Sequence, residues 1–275
     1  MKIIKLQFCQ SITKLPDLYS PNLEELDLYF CKNLIEVHES IGFLERLKKW
    51  DLSDCDKLQI LPSMLMLKSL EHFKLKGCSR LEKFPDIHPE MKCLNHLDWS
   101  HSGIRELPLS LLYLTGLATL EATCCFKLTK IPVRANKSEM QEEGDIPSAK
   151  LRLACNSFNN FSGPTGFLCL TSLYLRWCPI EVELDSWMRP EYFPVLTVLS
   201  LACTGIVTIP ESIGRFTRLL YLIIENCKKL RKIPRLPQSI RTVDAMDCDR
   251  LDTQSSSRLL NQVSLSFSFF LKFKL

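Results

Sequence analysis

Histidine and cysteine are the residues of this sequence whose chemistry is easiest to recognise, and they cluster in one place. Cys93 and His96 have the Cys-x-x-His spacing found among zinc ligands, and His88 and His101 lie nearby. However, Cys93 directly precedes an apolar core position, Leu94, and His96 and His101 flank a predicted strand. We therefore interpret the group as surface histidines beside one small apolar residue, and we expect no metal site.

The rest of the sequence does not indicate an enzyme. No convergent set of nucleophile, base and stabilising donor stands out. The phosphate-binding pattern Gly-x-x-x-x-Gly-Lys-Ser/Thr is absent, so we expect no nucleotide and no other cofactor. The net charge of +4, from 35 basic and 31 acidic residues among 275, gives no electrostatic reason to expect binding to nucleic acid or to a membrane.

A repeat organises most of the chain. Apolar residues recur at fixed spacings before a cysteine, in Leu23, Leu26, Leu28 and Cys31 and again in Leu47, Trp50, Leu52 and Cys55. The second run follows the first by 24 residues, and a period in the twenties with this spacing is typical of leucine-rich repeats. About ten units can be phased, and most of them end in an apolar residue followed by proline.

The spacing within one unit predicts its structure. The Leu-x-Leu alternation predicts a short strand whose leucines point into the core. The segments 62–67, 108–112 and 210–214 are too short for long helices and predict 3₁₀ or single α turns. We therefore predict an α/β leucine-rich-repeat solenoid, with parallel strands on a concave face and with loops and short 3₁₀ or α turns on a convex face.

The repeat period is interrupted once, and it ends before the C-terminal region. The interval between Cys125 and Cys178 exceeds one repeat, which predicts a leucine-rich-repeat domain at 1–252 with a loop insertion at 133–167. The region 253–275 leaves the pattern and forms a non-repeat tail. Its apolar end fits either a strand that caps the last repeat or an exposed, aggregation-prone stump.

Eight of the 13 cysteines share one phase of the repeat, and they are Cys9, Cys31, Cys55, Cys78, Cys125, Cys178, Cys227 and Cys248. Equivalent positions of a solenoid stack, so these thiols form a buried column rather than a disulfide framework. The start of the chain, Met1 to Leu6, reads as a strand and not as a signal peptide. We expect a cytoplasmic protein, with the nucleus as an additional location.

Outward strand positions indicate where a partner binds. Parallel strands about 4.8 Å apart would make the concave face roughly 45 Å long, which suits a protein rather than a small molecule. Acidic residues line up between the strand leucines, and two groups of exposed aromatic residues flank them, the second beside an arginine; such residues form interface hot spots. The predicted protein-binding residues are Phe8, Asp27, Tyr29, Phe30, Asp51, Asp98, Glu121, Tyr174, Arg176, Trp177 and Tyr221.

The repeats at 26–34, 75–85, 103–108 and 222–234 closely resemble those of plant intracellular nucleotide-binding leucine-rich-repeat immune receptors, especially the branch with a TIR domain. The resemblance implies a protein-binding module of a disease-resistance protein. Such a module would recognise a pathogen effector or a host guard target, and would help to hold the receptor inactive by contacting its own nucleotide-binding domain. The sequence contains no TIR domain and no nucleotide-binding domain.

Two alternatives remain open from the residues alone. Cysteine-bearing repeats also occur in substrate-recognition arms of ubiquitin ligases, although those favour longer units without the recurring Leu-Pro. An extracellular receptor ectodomain is the other alternative. It is supported by two glycosylation sequons in the insertion, at Asn136 and Asn160.

Overall fold

The computed structural model describes residues 1–128, 167–179, 184, 188–264 and 270–272. In this part of the chain, 11 short strands pair in parallel and in chain order, forming one long sheet. They are β1 (Ile3–Lys5), β3 (Glu25–Asp27), β5 (Lys49–Asp51), β7 (His72–Lys74), β9 (His96–Asp98), β10 (Thr119–Glu121), β11 (Ser172–Tyr174), β12 (Val198–Ser200), β13 (Tyr221–Ile223), β14 (Thr242–Asp244) and β15 (Phe270–Lys272). The predicted solenoid fold is confirmed.

The register of the long sheet has no offset, so equivalent residues of successive repeats stack. Leu26 pairs with Trp50, and Trp50 pairs with Phe73. These central strand residues are at most 1% exposed, and the rings of Trp50 and Phe73 stack with centroids 4.8 Å apart. The core is therefore a continuous column to which each unit contributes a layer, and each layer depends on its neighbours for burial.

The opposite side of the solenoid carries two-residue strands and 3₁₀ helices. Strands β2 (Lys14–Leu15) and β4 (Glu36–Val37) pair, as do β6 (Met64–Leu65) and β8 (Asp86–Ile87). The 3₁₀ helices are η1 (Glu39–Phe43), η2 (Leu109–Tyr113) and η3 (Glu211–Arg215). The 3₁₀ turns predicted at 108–112 and 210–214 are confirmed within a residue or two.

The 3₁₀ turn predicted at 62–67 is wrong, because this segment contains β6 instead. Leu65 and Leu67 are both buried and alternate with more exposed residues, which is the period of a strand. By contrast, η2 buries the consecutive residues Leu111 and Leu112. η1 was not predicted, because its preceding residue is His38 rather than proline. There, the His38 Nδ1 accepts a hydrogen bond from the backbone nitrogen of Ser40 at 3.2 Å.

The predicted thiol column has a bonding role as well as a packing role. Cys31, Cys55 and Cys78 are fully buried, whereas the terminal members Cys9 and Cys248 are partly exposed. Each buried Sγ donates to a carbonyl oxygen of the preceding repeat, as in Cys55 to Leu28 at 3.2 Å and Cys78 to Leu52 at 3.2 Å. Each buried cysteine of the column therefore ties its repeat to the one before it.

The region after the last repeat forms a helix and a strand. Helix α1 spans Thr253–Ser264, and β15 pairs in parallel with β14. Of the two alternatives for the tail, the strand pairing matches the capping strand; the helix was not predicted. Among the helices of the described residues, none has the length and apolar character needed to span a bilayer. The insertion at 133–167 lies almost wholly outside the described residues.

Candidate protein-binding face

The acidic residues predicted for the binding face divide into two kinds. The carboxylates of Asp27, Asp51 and Asp98 each accept a hydrogen bond from the backbone nitrogen two residues later, at 3.0, 2.9 and 2.8 Å. These are Asx turns, which close the end of each strand. The aspartates therefore have a structural role on the face, which the sequence interpretation had not assigned to them.

Asp98, predicted as an outward strand residue, is only 9% exposed. Its carboxylate accepts the hydrogen bond from the Ser100 backbone nitrogen described above. Glu121, which pairs with Asp98 in register, makes no such turn contact within the described chain. Its carboxylate oxygen lies 3.9 Å from Nε2 of His96, and its side chain is 38% exposed. Glu121 is thus the predicted acid that remains available to a partner on this stretch of the face.

A left-handed residue follows every strand turn of the repeats. The residues with positive φ at this position are Phe8, Phe30, Asp54, Gly77, His101, Cys124, Trp177, Cys203, Asn226 and Asp247. Their backbone nitrogens extend the ladder; for example, Phe30 donates to Ser53 and Trp177 donates to Ala202. Glycine, asparagine and aspartate tolerate this conformation, whereas it strains bulky side chains.

Two of the three large aromatic residues in this column, Phe8 and Trp177, are exposed, whereas Phe30 is half-buried. Phe8 has φ 61° and is 56% exposed, and Trp177 has φ 56° and is 46% exposed. A bulky residue in this conformation costs about 1–3 kcal/mol, and an exposed ring recovers little of that by packing. Folding stability therefore does not explain why Phe8 and Trp177 occupy positions suited to asparagine or glycine.

The first predicted aromatic group is assembled in the structure. Phe8 lies 5.4 Å from Tyr29 and 5.2 Å from Phe30 between ring centroids, and Tyr29 lies 5.9 Å from Phe30. Lys32 Nζ sits 4.3 Å from the centroid of Phe30. The three rings form one cluster at the strand ends of the first two repeats.

The second predicted group is assembled only in part. Tyr174, Arg176 and Trp177 line one shallow concavity together with Glu121 of the adjacent strand. Tyr221, 40% exposed, lies in β13, two strands away from Tyr174, and pairs with Val198 rather than with Ser200, which is the partner of Tyr174. The face around β10 and β11 therefore brings together Glu121, Tyr174, Arg176 and Trp177, and Tyr221 stands apart.

Arg176 is not a free cation. Its Nη2 forms an ion pair with Oε1 of Glu225, two repeats further along. The side chain crosses the intervening repeat at Ala202, a small residue that is completely buried. This pair neutralises the guanidinium and holds it against the sheet, beside Trp177.

The histidines do not form the ligand set that the sequence spacing suggested. Cys93 is exposed, and the core position that follows it, Leu94, is 1% exposed. His96 instead neighbours His72 of β7, with ring centroids 6.0 Å apart. Burial lowers the pKa of His72, and the adjacent His96 lowers it further. In the described part of the chain, no three histidine, cysteine or carboxylate side chains gather as metal ligands.

Comparisons with known proteins place the repeats among plant defence proteins. The TMV resistance protein N of Nicotiana glutinosa is 27% identical over 296 aligned residues, which cover 90% of this chain and 25% of that protein. The disease resistance-like protein DSC1 of Arabidopsis thaliana is 30% identical, covering 86% of this chain and 17% of that protein. Disease resistance protein RPP2A of Arabidopsis thaliana is 38% identical over 133 residues, 48% of this chain and 10% of that protein.

No protein-family profile matches the sequence. Among solved structures, the leucine-rich-repeat ectodomain of the plant membrane receptor kinase GASSHO1/SCHENGEN3 from Arabidopsis thaliana aligns with 88% of this chain and 32% of that chain. The TM-score is 0.44 and the identity is 16%, so this likeness carries no functional conclusion.

The chain spans a quarter or less of the length of these three curated relatives. The similarity nevertheless covers most of this chain, and it runs through the same repeats whose stacked strands are described above. The resemblance drawn from the repeat residues is confirmed: the chain is a leucine-rich-repeat solenoid homologous to plant disease-resistance proteins of the TIR nucleotide-binding leucine-rich-repeat class.

Proposed function

We propose that this chain is the recognition module of a plant disease-resistance protein, binding a pathogen effector or a host guard target through its long sheet. The observation that carries the proposal is Trp177, which is 46% exposed in a left-handed conformation. An exposed, strained tryptophan beside a tyrosine and an arginine is better accounted for by binding than by folding.

The proposal includes a second, intramolecular partner. Relatives of this chain are several times longer than the region matched here, so a resistance protein offers other domains to the solenoid. We propose that the sheet face also contacts the receptor's own nucleotide-binding domain and so contributes to autoinhibition. The aromatic cluster of Phe8, Tyr29 and Phe30 is a candidate for this second contact, because it lies about five strand spacings, or roughly 24 Å, from Trp177.

We propose a cytoplasmic location, with the nucleus as an additional site. The support is the column of buried thiols, since each buried Sγ donates to a neighbouring carbonyl and none of the described cysteines is in a disulfide. A chain built around free thiols suits a reducing compartment. Binding by the solenoid requires no catalytic step, and the proposed role is that of an interaction protein and not of an enzyme.

The test compares proximity labelling by two versions of the chain in leaf tissue. The chain is fused to a promiscuous biotin ligase, and proteins labelled by the wild type are compared with those labelled by Trp177→Asn. The proposal predicts that a defined set of proteins loses labelling in the variant while the two chains accumulate equally. A matched change at the last position of the same column, Asp247→Asn, should leave the set intact. Identical labelling by all three chains would reject the proposal.

A further inference from the structure

The concavity between β10 and β11 has a definite chemical character. Two aromatic side chains, Tyr174 and Trp177, stand on one flank, and Glu121 stands on the other, as the register partner of Tyr174. Apart from Arg176, the remaining lining residues are small and polar or are part of the turn, namely Thr119, Thr123, Cys124 and Ser172. Aromatic faces and a carboxylate are the two kinds of group that attract an organic cation.

The lining of this concavity carries one acid, Glu121, and one base, Arg176. Arg176 is its one lining cation, and its guanidinium is paired with Glu225 on the side away from Glu121. The recorded ion-pair partner of Glu121 in the described chain is His96, which counts as a cation only when protonated. Lys74, on the far side of Asp98, is directed toward Asp51 at 3.7 Å. Glu121 and its register partner Asp98 therefore have no lysine or arginine of their own within ion-pair distance in the described part of the chain.

The same face shows that its geometry can hold a cation over an aromatic ring. At the first repeats, Lys32 Nζ lies 4.3 Å from the ring centroid of Phe30, which occupies the same left-handed column as Trp177. At Trp177, the ring is exposed and the described chain supplies no lysine for it. A cation placed over Trp177, as Lys32 is placed over Phe30, would therefore lie beside Glu121. In the described chain, Glu121 has no lysine or arginine partner.

We infer that this concavity receives a lysine or arginine side chain of the protein partner, with the cation placed over Trp177 and Tyr174 and paired with Glu121. The inference rests on the proposed function, since it specifies the chemistry of the partner at the same face. The Arg176–Glu225 pair acts as a positioning element, because it keeps the guanidinium of Arg176 away from the incoming cation.

The inference is tested with small peptides that carry one variable side chain. The full chain, labelled with ¹⁵N, is titrated with acetyl-Gly-Gly-X-Gly-Gly-amide, where X is lysine, arginine, glutamate or leucine, and the indole N–H signal of Trp177 is followed by NMR. The buried indoles of Trp50 and Trp99, at most 1% exposed, report that the chain remains folded. We expect saturable shifts of the Trp177 signal with the lysine and arginine peptides only.

Two variants test whether the Glu121 carboxylate contributes to binding of the basic peptides. Glu121→Gln keeps the shape of the side chain and removes its charge, and it should weaken binding of the basic peptides roughly tenfold. Asp244→Asn, at the equivalent strand position of β14 and outside the concavity, should have little effect. Equal shifts with the glutamate or leucine peptide, no shift with any peptide, or binding unaffected by Glu121→Gln would each overturn the inference. None of these results would bear on the loss of labelling that tests the proposed function.

Discussion

The hydroxyl group of Ser255 serves both backbone polar groups of Ile233. Its oxygen accepts from the Ile233 nitrogen at 3.0 Å and lies 3.4 Å from the Ile233 carbonyl oxygen, to which it donates. A similar contact is made about two turns further along α1, where Gln262 accepts from the nitrogen of Leu236 at 3.2 Å and donates to its carbonyl at 3.0 Å. Side chains of α1 therefore satisfy backbone groups at the end of the ninth repeat, at Ile233 and Leu236.

Removing the Ser255 hydroxyl should destabilise the C-terminal repeats. Ser255 is 2% exposed, so Ser255→Ala leaves a buried nitrogen and a buried carbonyl without this partner, at a cost of about 2–3 kcal/mol. Ser257→Ala, an exposed position of the same helix, should change stability by less than about 0.5 kcal/mol. Urea denaturation followed by circular dichroism measures both. Equal stabilities of the two variants would show that the Ser255 contacts do not hold the helix.

The thiol column should tolerate serine better than valine. Cys78 is fully buried and its Sγ donates to the Leu52 carbonyl at 3.2 Å. Cys78→Val removes the donor and should cost about 1–3 kcal/mol, whereas Cys78→Ser retains a donor and should cost less. The protein itself has serine and threonine at this phase, at Ser102 and Thr204, and Thr204 donates to Leu201 at 2.6 Å. Urea denaturation midpoints rank the stabilities of the two variants. A valine variant more stable than the serine variant would contradict the expected order.

Burial should also protect these thiols from alkylation. Burial raises the pKa of Cys55 to about 12, so at pH 8 almost no thiolate is present to react. Cys93 and Cys169 are exposed. Iodoacetamide treatment of the native chain at pH 8, followed by mass spectrometry of peptides, should show Cys93 and Cys169 modified and Cys55 unmodified. Modification of Cys55 at the same rate as Cys93 would contradict the buried column; guanidinium-unfolded protein gives the reference for full reaction.

The repeat spacing was sufficient to predict the fold, because the periodic leucines and cysteines are the residues whose burial stabilises it. The strand of each unit begins within a residue or two of the predicted Leu-x-Leu, as in β3 around Leu26. The convex side was harder to predict. Whether a short segment such as 62–67 becomes a strand or a 3₁₀ turn depends on pairing with the next repeat at 86–87, and that pairing is not encoded within the segment.

The candidate site was predictable in its residues and less so in its geometry. Phe8, Tyr29 and Phe30 were grouped correctly because they occupy adjacent positions of successive repeats. The left-handed column was missed, although Gly77, Asn226 and Asp247 at the equivalent position were a signal for it. The Arg176–Glu225 pair was missed because it depends on the length of the arginine and the small size of Ala202 between the two residues. α1 was missed because its sequence is mostly polar.

Lowering the pH should reduce the folding stability of the N-terminal repeats, because Glu24 becomes protonated. Its two carboxylate oxygens lie 2.8 Å from Lys2 Nζ and 3.0 Å from Lys48 Nζ, and these contacts lower its pKa to about 2. A pKa lowered on folding adds stability above the unfolded value, near 4.3, and that stability is lost as the pH falls toward 2. The thermal midpoint of Glu24→Gln should therefore lie below that of the wild type at pH 6, and the difference should vanish near pH 2. A difference independent of pH would exclude the ion pairs as its cause.

We expect Trp177 to lower the folding stability of the chain while contributing to binding. Two substitutions separate the effect of the ring from the effect of the left-handed backbone conformation. Trp177→Asn and Trp177→Val both remove the ring, which is 46% exposed, but only asparagine tolerates a φ of 56°. The asparagine variant should therefore be more stable than the valine variant by about 1–2 kcal/mol and at least as stable as the wild type. Urea denaturation of the three chains gives these differences.

The reverse experiment uses the glycine of the same column. Gly77 has φ 78°, and an added Cβ would lie 2.3 Å from Oδ1 of Asp54, so Gly77→Ala should destabilise the chain while leaving Trp177 untouched. If Trp177→Asn abolishes partner labelling without loss of stability, and Gly77→Ala loses stability without loss of labelling when folded, the two properties are separate. If Trp177→Asn unfolds the repeats instead, the ring is needed for packing, and the strained tryptophan no longer argues for binding.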